Sequence, residues 1–156
     1  MGESPKFAAD RMLMRLARWL RLLGADVIDD PNRSGAELLK RARGEARILL
    51  TRDKRLRTAA DVFYLEDNDL RGQLRAVIAG FHIDPKAAQF TRCSRCNFPL
   101  RSVARELVAR RVPPFVFASQ DRFSECDRCG RLYWAASHPP RIAAILESLS
   151  AQAINL

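Results

Sequence analysis

The four cysteines of this 156-residue chain fall into two Cys-x-x-Cys pairs, Cys93 with Cys96 and Cys126 with Cys129, and no other feature constrains the fold as tightly. Each pair sets two sulfurs on one tight turn, so two such knuckles offer a tetrahedral thiolate set for zinc at about 2.3 Å. The 29 residues between the pairs, 97–125, are an insertion that leaves this ligand geometry intact. Gly130 follows the second pair, where a knuckle turn takes a residue tolerant of positive φ. Four cysteines close the coordination shell, so the expected Zn²⁺ is structural, contributing to folding and activating no water. A redox dithiol is the alternative reading, but such a site needs one Cys-x-x-Cys and this chain has two. His138, nine residues past Cys129, reads as a packed or hydrogen-bonded side chain in preference to a ligand.

Ahead of the cysteines the pattern differs. Apolar runs at 6–9, 26–28, 47–50 and 62–65 read as strands, and amphipathic segments at 11–23, 34–43 and 70–80 read as helices. Gly24 and Gly44 stop the first two helices, and Ser34 with Glu37 makes a capping box at the start of the second. This alternation predicts an α/β fold, a parallel sheet flanked by helices and joined by right-handed crossovers. The expected organisation is an α/β domain over 5–85, a zinc ribbon with its insertion over 88–138, and a C-terminal helix over 139–152 packing on the body. Inside the insertion a helix is expected at 103–111, broken by Pro113-Pro114. The terminal helix, at 141–149, places Ile142, Ile145, Leu146 and Leu149 on one face.

In a parallel sheet the strand C-termini share one edge, and Asp10 and Asp53 end the first and third strands. If those strands are neighbours, their carboxylates converge, and oxygen-only ligation suits Mg²⁺ or Mn²⁺. Such a site can activate water against a phosphodiester. Glu37 is a plausible third ligand, and Asp69, ending the acidic turn after the fourth strand, a further one. Each acid has a structural alternative: Asp10 and Asp53 as caps of the turns they precede, Glu37 as the reciprocal member of the capping box, the acids around Asp69 as an exposed turn.

Lysine and arginine outnumber aspartate and glutamate by 27 − 18 = 9, which favours a polyanionic partner, with mere solubilising charge as the alternative. Arg11, Arg15 and Arg18 recur at helical spacing beside Asp10, and Arg52 adjoins Asp53. These four are the expected RNA contacts, against the alternative of a solvated face. Nothing in the sequence reads as a signal peptide or a bilayer-spanning stretch, which predicts a cytoplasmic protein whose cysteines stay reduced.

Four ordered motifs, FAADRMLMRLARWLRLLGADV, ILLTRD, TRCSRCNFPL and CDRCGRLYWAASH, resemble the PIN-like ribonuclease domain with zinc ribbon named after the carboxy-terminal region of the Mut-seven exonuclease. The resemblance runs from Lys6 to His138 and implies a PIN-like fold, metal-dependent ribonuclease activity and a C-terminal zinc ribbon. It assigns Asp10, Glu37 and Asp53 to the acidic positions of the family. The chain departs from the family pattern at Met14, at Ala36 or Glu37, and at Ala135 and Ala136. The expected function is a metal-dependent endoribonuclease. The alternatives are a non-catalytic, ribosome- or tRNA-associated RNA-binding protein, and a protein that uses its ribbon as a docking platform.

Overall fold

The computed structural model describes residues 3–135 together with Ala144, Ile145, Glu147 and Ser148. Four short parallel strands, β1 (Lys6–Ala9), β2 (Asp26–Asp29), β3 (Ile48–Thr51) and β4 (Val62–Tyr64), form one sheet in the order β2-β1-β3-β4. The register pairs Ala9 with Asp29 on one side and with Leu50 on the other, so β1 and β3 are neighbours. Both are covered on two faces, which is why they read as unbroken apolar runs with no polar alternation. Phe7, Ala9 and Leu50 face one core, while Ala8 and Leu49 face a second.

The first core is roofed by α1 (Met14–Leu22) and α3 (Leu70–Phe81), the second by α2 (Gly35–Gly44). Leu13, Leu16, Leu20 and Leu23, spaced three and four apart, put the apolar stripe of α1 on the sheet. A 3₁₀ turn, Arg11–Leu13, opens this segment where an α-helix is expected, because the Asp10 carboxylate caps the Met12 N–H and tightens the turn. α1 ends in a Schellman motif: Gly24 donates to Arg21 and Ala25 to Leu20, with Gly24 at φ +93°. A side chain at Gly24 would also meet the backbone oxygen of Ala88 at 2.4 Å, so only glycine lets the 88–91 segment cross here.

Beyond α3 the chain builds a three-stranded antiparallel sheet, β5 (Arg101–Val103), β6 (Phe123–Glu125) and β7 (Leu132–Tyr133). The helix expected at 103–111 is not there. Val103 pairs with Phe123 in the sheet, a 3₁₀ turn covers Arg105–Leu107, and the helix of the insertion is α4 (Pro114–Ser119). Pro113-Pro114 starts that helix and breaks none, since proline's fixed φ and missing N–H suit a first turn. Val103, Val108, Val112, Val116 and Phe123 give the insertion a small core of its own.

The expected terminal helix lies mostly outside the described residues, as does His138; of that helix, Ile145 packs on the core beneath α1 and α3. Among the described residues no helix is long and apolar enough to cross a membrane.

Candidate functional site

The two knuckles share one backbone design. Cys93 N–H bonds to the Phe98 carbonyl and Cys126 N–H to that of Arg131, five residues on in each case. Asn97 and Gly130, the residues after the second cysteines, return their N–H groups to the carbonyls of Cys93 and Cys126. Both adopt positive φ, +63° and +71°. Asparagine is among the residues that tolerate this region, so the repeated spacing marks Asn97 as the counterpart of Gly130, a role the sequence reading missed.

The turns bring all four sulfurs within 4.8 Å of one another. Tetrahedral bonds of about 2.3 Å separate ligand sulfurs by about 3.8 Å, and Cys93 Sγ lies 3.7 Å from Cys129 Sγ. A disulfide would need about 2.05 Å. The cysteines are free, Cys93 and Cys126 being buried.

Tyr133, which no sequence signal pointed to, reaches into this cluster from β7. Its hydroxyl lies 3.2 Å from Cys93 Sγ and accepts the Ser94 N–H. Burial pushes the Cys93 thiol up, but the Tyr133 hydroxyl and the N–H groups of Cys96 and Arg95 outweigh it and bring the pKa down from 9.0 to about 7. Cys96 is pushed up to about 12 by burial and by the other sulfurs. Four sulfurs this close cannot all ionise unless a cation neutralises them, so the set fits a divalent soft-ligand metal such as zinc.

The second feature sits at the C-terminal edge of the parallel sheet, between β1 and β3, where the strand order reverses. Asp10 follows β1 and is only 7% exposed; Asp53 follows β3. A Cβ built on Gly35, at the start of α2, would lie 3.6 Å from Asp10 Oδ2 and 3.8 Å from Asp53 Oδ2. The two carboxylates therefore flank one small space under the α2 N-terminus. Thr51 connects them: its hydroxyl donates to Asp10 Oδ2 at 2.9 Å and accepts the Asp53 N–H at 3.0 Å. Arg55 holds both oxygens of Asp53 and keeps its carboxyl below the usual carboxylate range, so Asp53 is ionised at neutral pH.

The other expected site residues are placed differently. Glu37 turns back to accept from the Ser34 N–H and hydroxyl, completing the capping box, and those bonds hold its carboxyl below the ordinary range. Asp69 caps α3 through the Gly72 N–H. Asp10 and Asp53 cap their turns as well, but they also border the same space beside Gly35. Among the described residues no third acid joins them closely enough to form a cluster like that of the cysteines.

Arg11, Arg15 and Arg18 are exposed and make no ion pair among the described residues. Arg52, expected on phosphate, instead clasps the β4–α3 loop through the carbonyls of Glu66 and Asp67 and the side chain of Asn68. Arg21, near the basic stripe in sequence, is 3% exposed and serves as a joint. It donates to the carbonyls of Val27 and Ser94 and pairs with Asp29 at 3.1 Å, tying β2 to the first knuckle.

No curated protein and no solved structure matches the chain significantly. A family model described as the Mut7-C RNAse domain matches residues 5–146, a span that takes in both the parallel sheet and the cysteine cluster. That match covers 142 of the 156 residues, so the chain belongs to the Mut7-C RNAse domain family, with a ribonuclease-type function and RNA as the implied substrate.

Proposed function

We propose that the protein is a metal-dependent endoribonuclease whose Asp10 and Asp53 hold Mg²⁺ or Mn²⁺ at the switch point of the parallel sheet. The observation that carries this reading is the approach of both carboxylates to the space beside Gly35. The donor set fits such an ion: two carboxylates offer hard oxygens, and Arg55, 89% exposed, is a weakly held partner that can leave Asp53 when a cation arrives. When bound, the ion supplies a water made nucleophilic at neutral pH and neutralises charge on the phosphate.

The chain's own residues do the rest. Thr51 fixes the Asp10 carboxylate relative to the Asp53 backbone, and the α2 N-terminus adds positive potential beside the space that both acids border. Arg11, Arg15 and Arg18 lie free on the helix that follows Asp10 and offer contacts for the RNA backbone. The cysteine site holds Zn²⁺ structurally, away from this chemistry.

Purified protein should cleave RNA internally when Mn²⁺ or Mg²⁺ is added, and Asp10→Asn should lose at least about a hundredfold, the usual scale for a group acting on the reacting centre. Absence of cleavage with Mn²⁺, or an Asp10→Asn variant as active as the wild type, would sink the proposal. The engagement of Glu37 and Asp69 in helix caps favours the rival reading, an RNA-binding protein without turnover. That rival predicts salt-dependent RNA affinity with no metal-dependent product.

A further inference from the structure

A polar groove of about 570 Å³ runs between the edge strand β2, the α2 face of the sheet and the two zinc knuckles. Five arginines line it against two acids, Asp26 and Asp29. Arg21, Arg41 and Arg47 are committed to Asp29, Glu45 and Asp26. Arg95 and Arg128 are exposed and make no ion pair among the described residues. These two occupy the same place in the two knuckles, directly before the second cysteine of each pair. Since the knuckles repeat one backbone geometry, equivalent turns present both guanidiniums to one groove.

Phe98 completes the surface. Its ring is 46% exposed on the groove wall, with the Arg128 guanidinium 5.3 Å from its centroid. Unpaired guanidiniums beside a solvent-facing aromatic ring are what a single-stranded nucleic acid binds: phosphates on the arginines and a base on the ring. The groove also leads towards the acids. Ile28 and Asp29 in its wall pair with Ala8 and Ala9 on β1, so it opens one strand spacing, about 4.8 Å, from the strand that carries Asp10.

We propose that this groove binds a single-stranded flank of the RNA, with Arg95 and Arg128 on its phosphates and Phe98 stacked on a base. The identity of the ligand rests on the ribonuclease reading; the binding itself does not need turnover. The test is fluorescence anisotropy of a labelled oligouridylate of about twelve nucleotides, within the span such grooves cover. It uses the full zinc-loaded chain with no other divalent cation added.

Phe98→Ala should weaken binding about tenfold, with Phe98→Trp restoring it. Arg95→Gln with Arg128→Gln should flatten the slope of log affinity against log salt by about 1.4, or 0.7 per lost phosphate contact. Zinc content, measured alongside, should stay at the wild-type level. The proposal fails if the wild type does not bind the oligonucleotide, or if affinity and slope are unchanged in both variants. It also fails if affinity falls only together with zinc, which would assign the arginines to balancing the thiolate charge. Preference for a polyglutamate peptide, lost in the same variants, would reassign the groove to an acidic protein partner. A protein that binds as expected but cleaves nothing with Mn²⁺ would overturn the nuclease reading and leave the groove standing.

Discussion

Thr51 is fully buried, and its hydroxyl both donates to Asp10 and accepts from Asp53. Valine has the same shape but leaves a buried carboxylate and a backbone N–H without that partner, an imbalance that costs about 1–3 kcal/mol. Thr51→Val should therefore lower Tm by about 2–12 °C, at about 2–4 °C per kcal/mol for a chain of this size, and Thr51→Ser, which keeps the hydroxyl, by less; calorimetry decides. Asn97 is a second residue whose role is larger than its composition suggests. Besides its left-handed backbone, its side-chain oxygen accepts the Val27 N–H at 3.0 Å and its amide donates to Asp26 at 2.7 Å. Its place after a knuckle cysteine was legible in the sequence. Its bonds to residues some seventy positions away were not, because no local pattern encodes which distant backbone group a side chain will meet.

At the scale of elements, β2 is an edge strand, and an unpaired edge invites association with another chain. The first knuckle and α1 cover it: Asn97 takes the outward N–H of Val27, and Arg21 supplies a donor to its carbonyl. Asp26 anchors this joint, bonded to Arg47 at 2.7 Å and to Asn97. Burial works to raise the Asp26 carboxyl, but the bonds from Arg47 and Asn97 prevail and hold it below its ordinary value. A depressed folded-state pKa contributes stability that is present above the unfolded value, near 3.9, and is lost as pH falls through the folded one. The protein should therefore lose stability in acid below about pH 3.9, and Asp26→Asn should flatten that limb of the curve, as denaturant titrations at several pH values would show. An equally steep acid limb in the variant would place the loss elsewhere. The helix expected at 103–111 shows what element-scale reading misses: Val103 has a strand partner in Phe123, twenty residues on, and that pairing overrides local helical preference.

Across the whole molecule, two different kinds of core meet. The parallel sheet buries large apolar side chains on both faces, whereas the ribbon has only the small apolar core of its insertion beside a knuckle end centred on Cys93, Cys126 and Tyr133. The first can stand on hydrophobic burial; the second, with zinc bound at the cysteines as proposed above, would draw folding energy from its metal. Purified protein should carry one zinc per chain, and chelation should open the ribbon while the sheet stays closed. In hydrogen exchange, amides of β5, β6 and β7 should then lose protection before those of β1 and β3, with Cys126→Ser giving the same order. Loss of protection in one concerted step would show that the ribbon and the sheet fold as a single unit.

Strand and helix periodicity, the capping box at Ser34, the Gly24 stop and the two cysteine knuckles were all readable in the chain. Each depends on residues a few positions apart, whose relative geometry the backbone sets locally. The adjacency of β1 and β3 was only a condition in the sequence, and the tertiary fold met it. That fold also decided that Asp10 and Asp53 share a space while Glu37 and Asp69 remain caps, and that Arg52, expected as a phosphate contact, holds a loop together. A capping bond and a metal ligand use the same carboxylate, and a joint and a phosphate contact use the same guanidinium. Which role each group takes depends on the partners that folding brings within about 3 Å, the reach of a hydrogen bond.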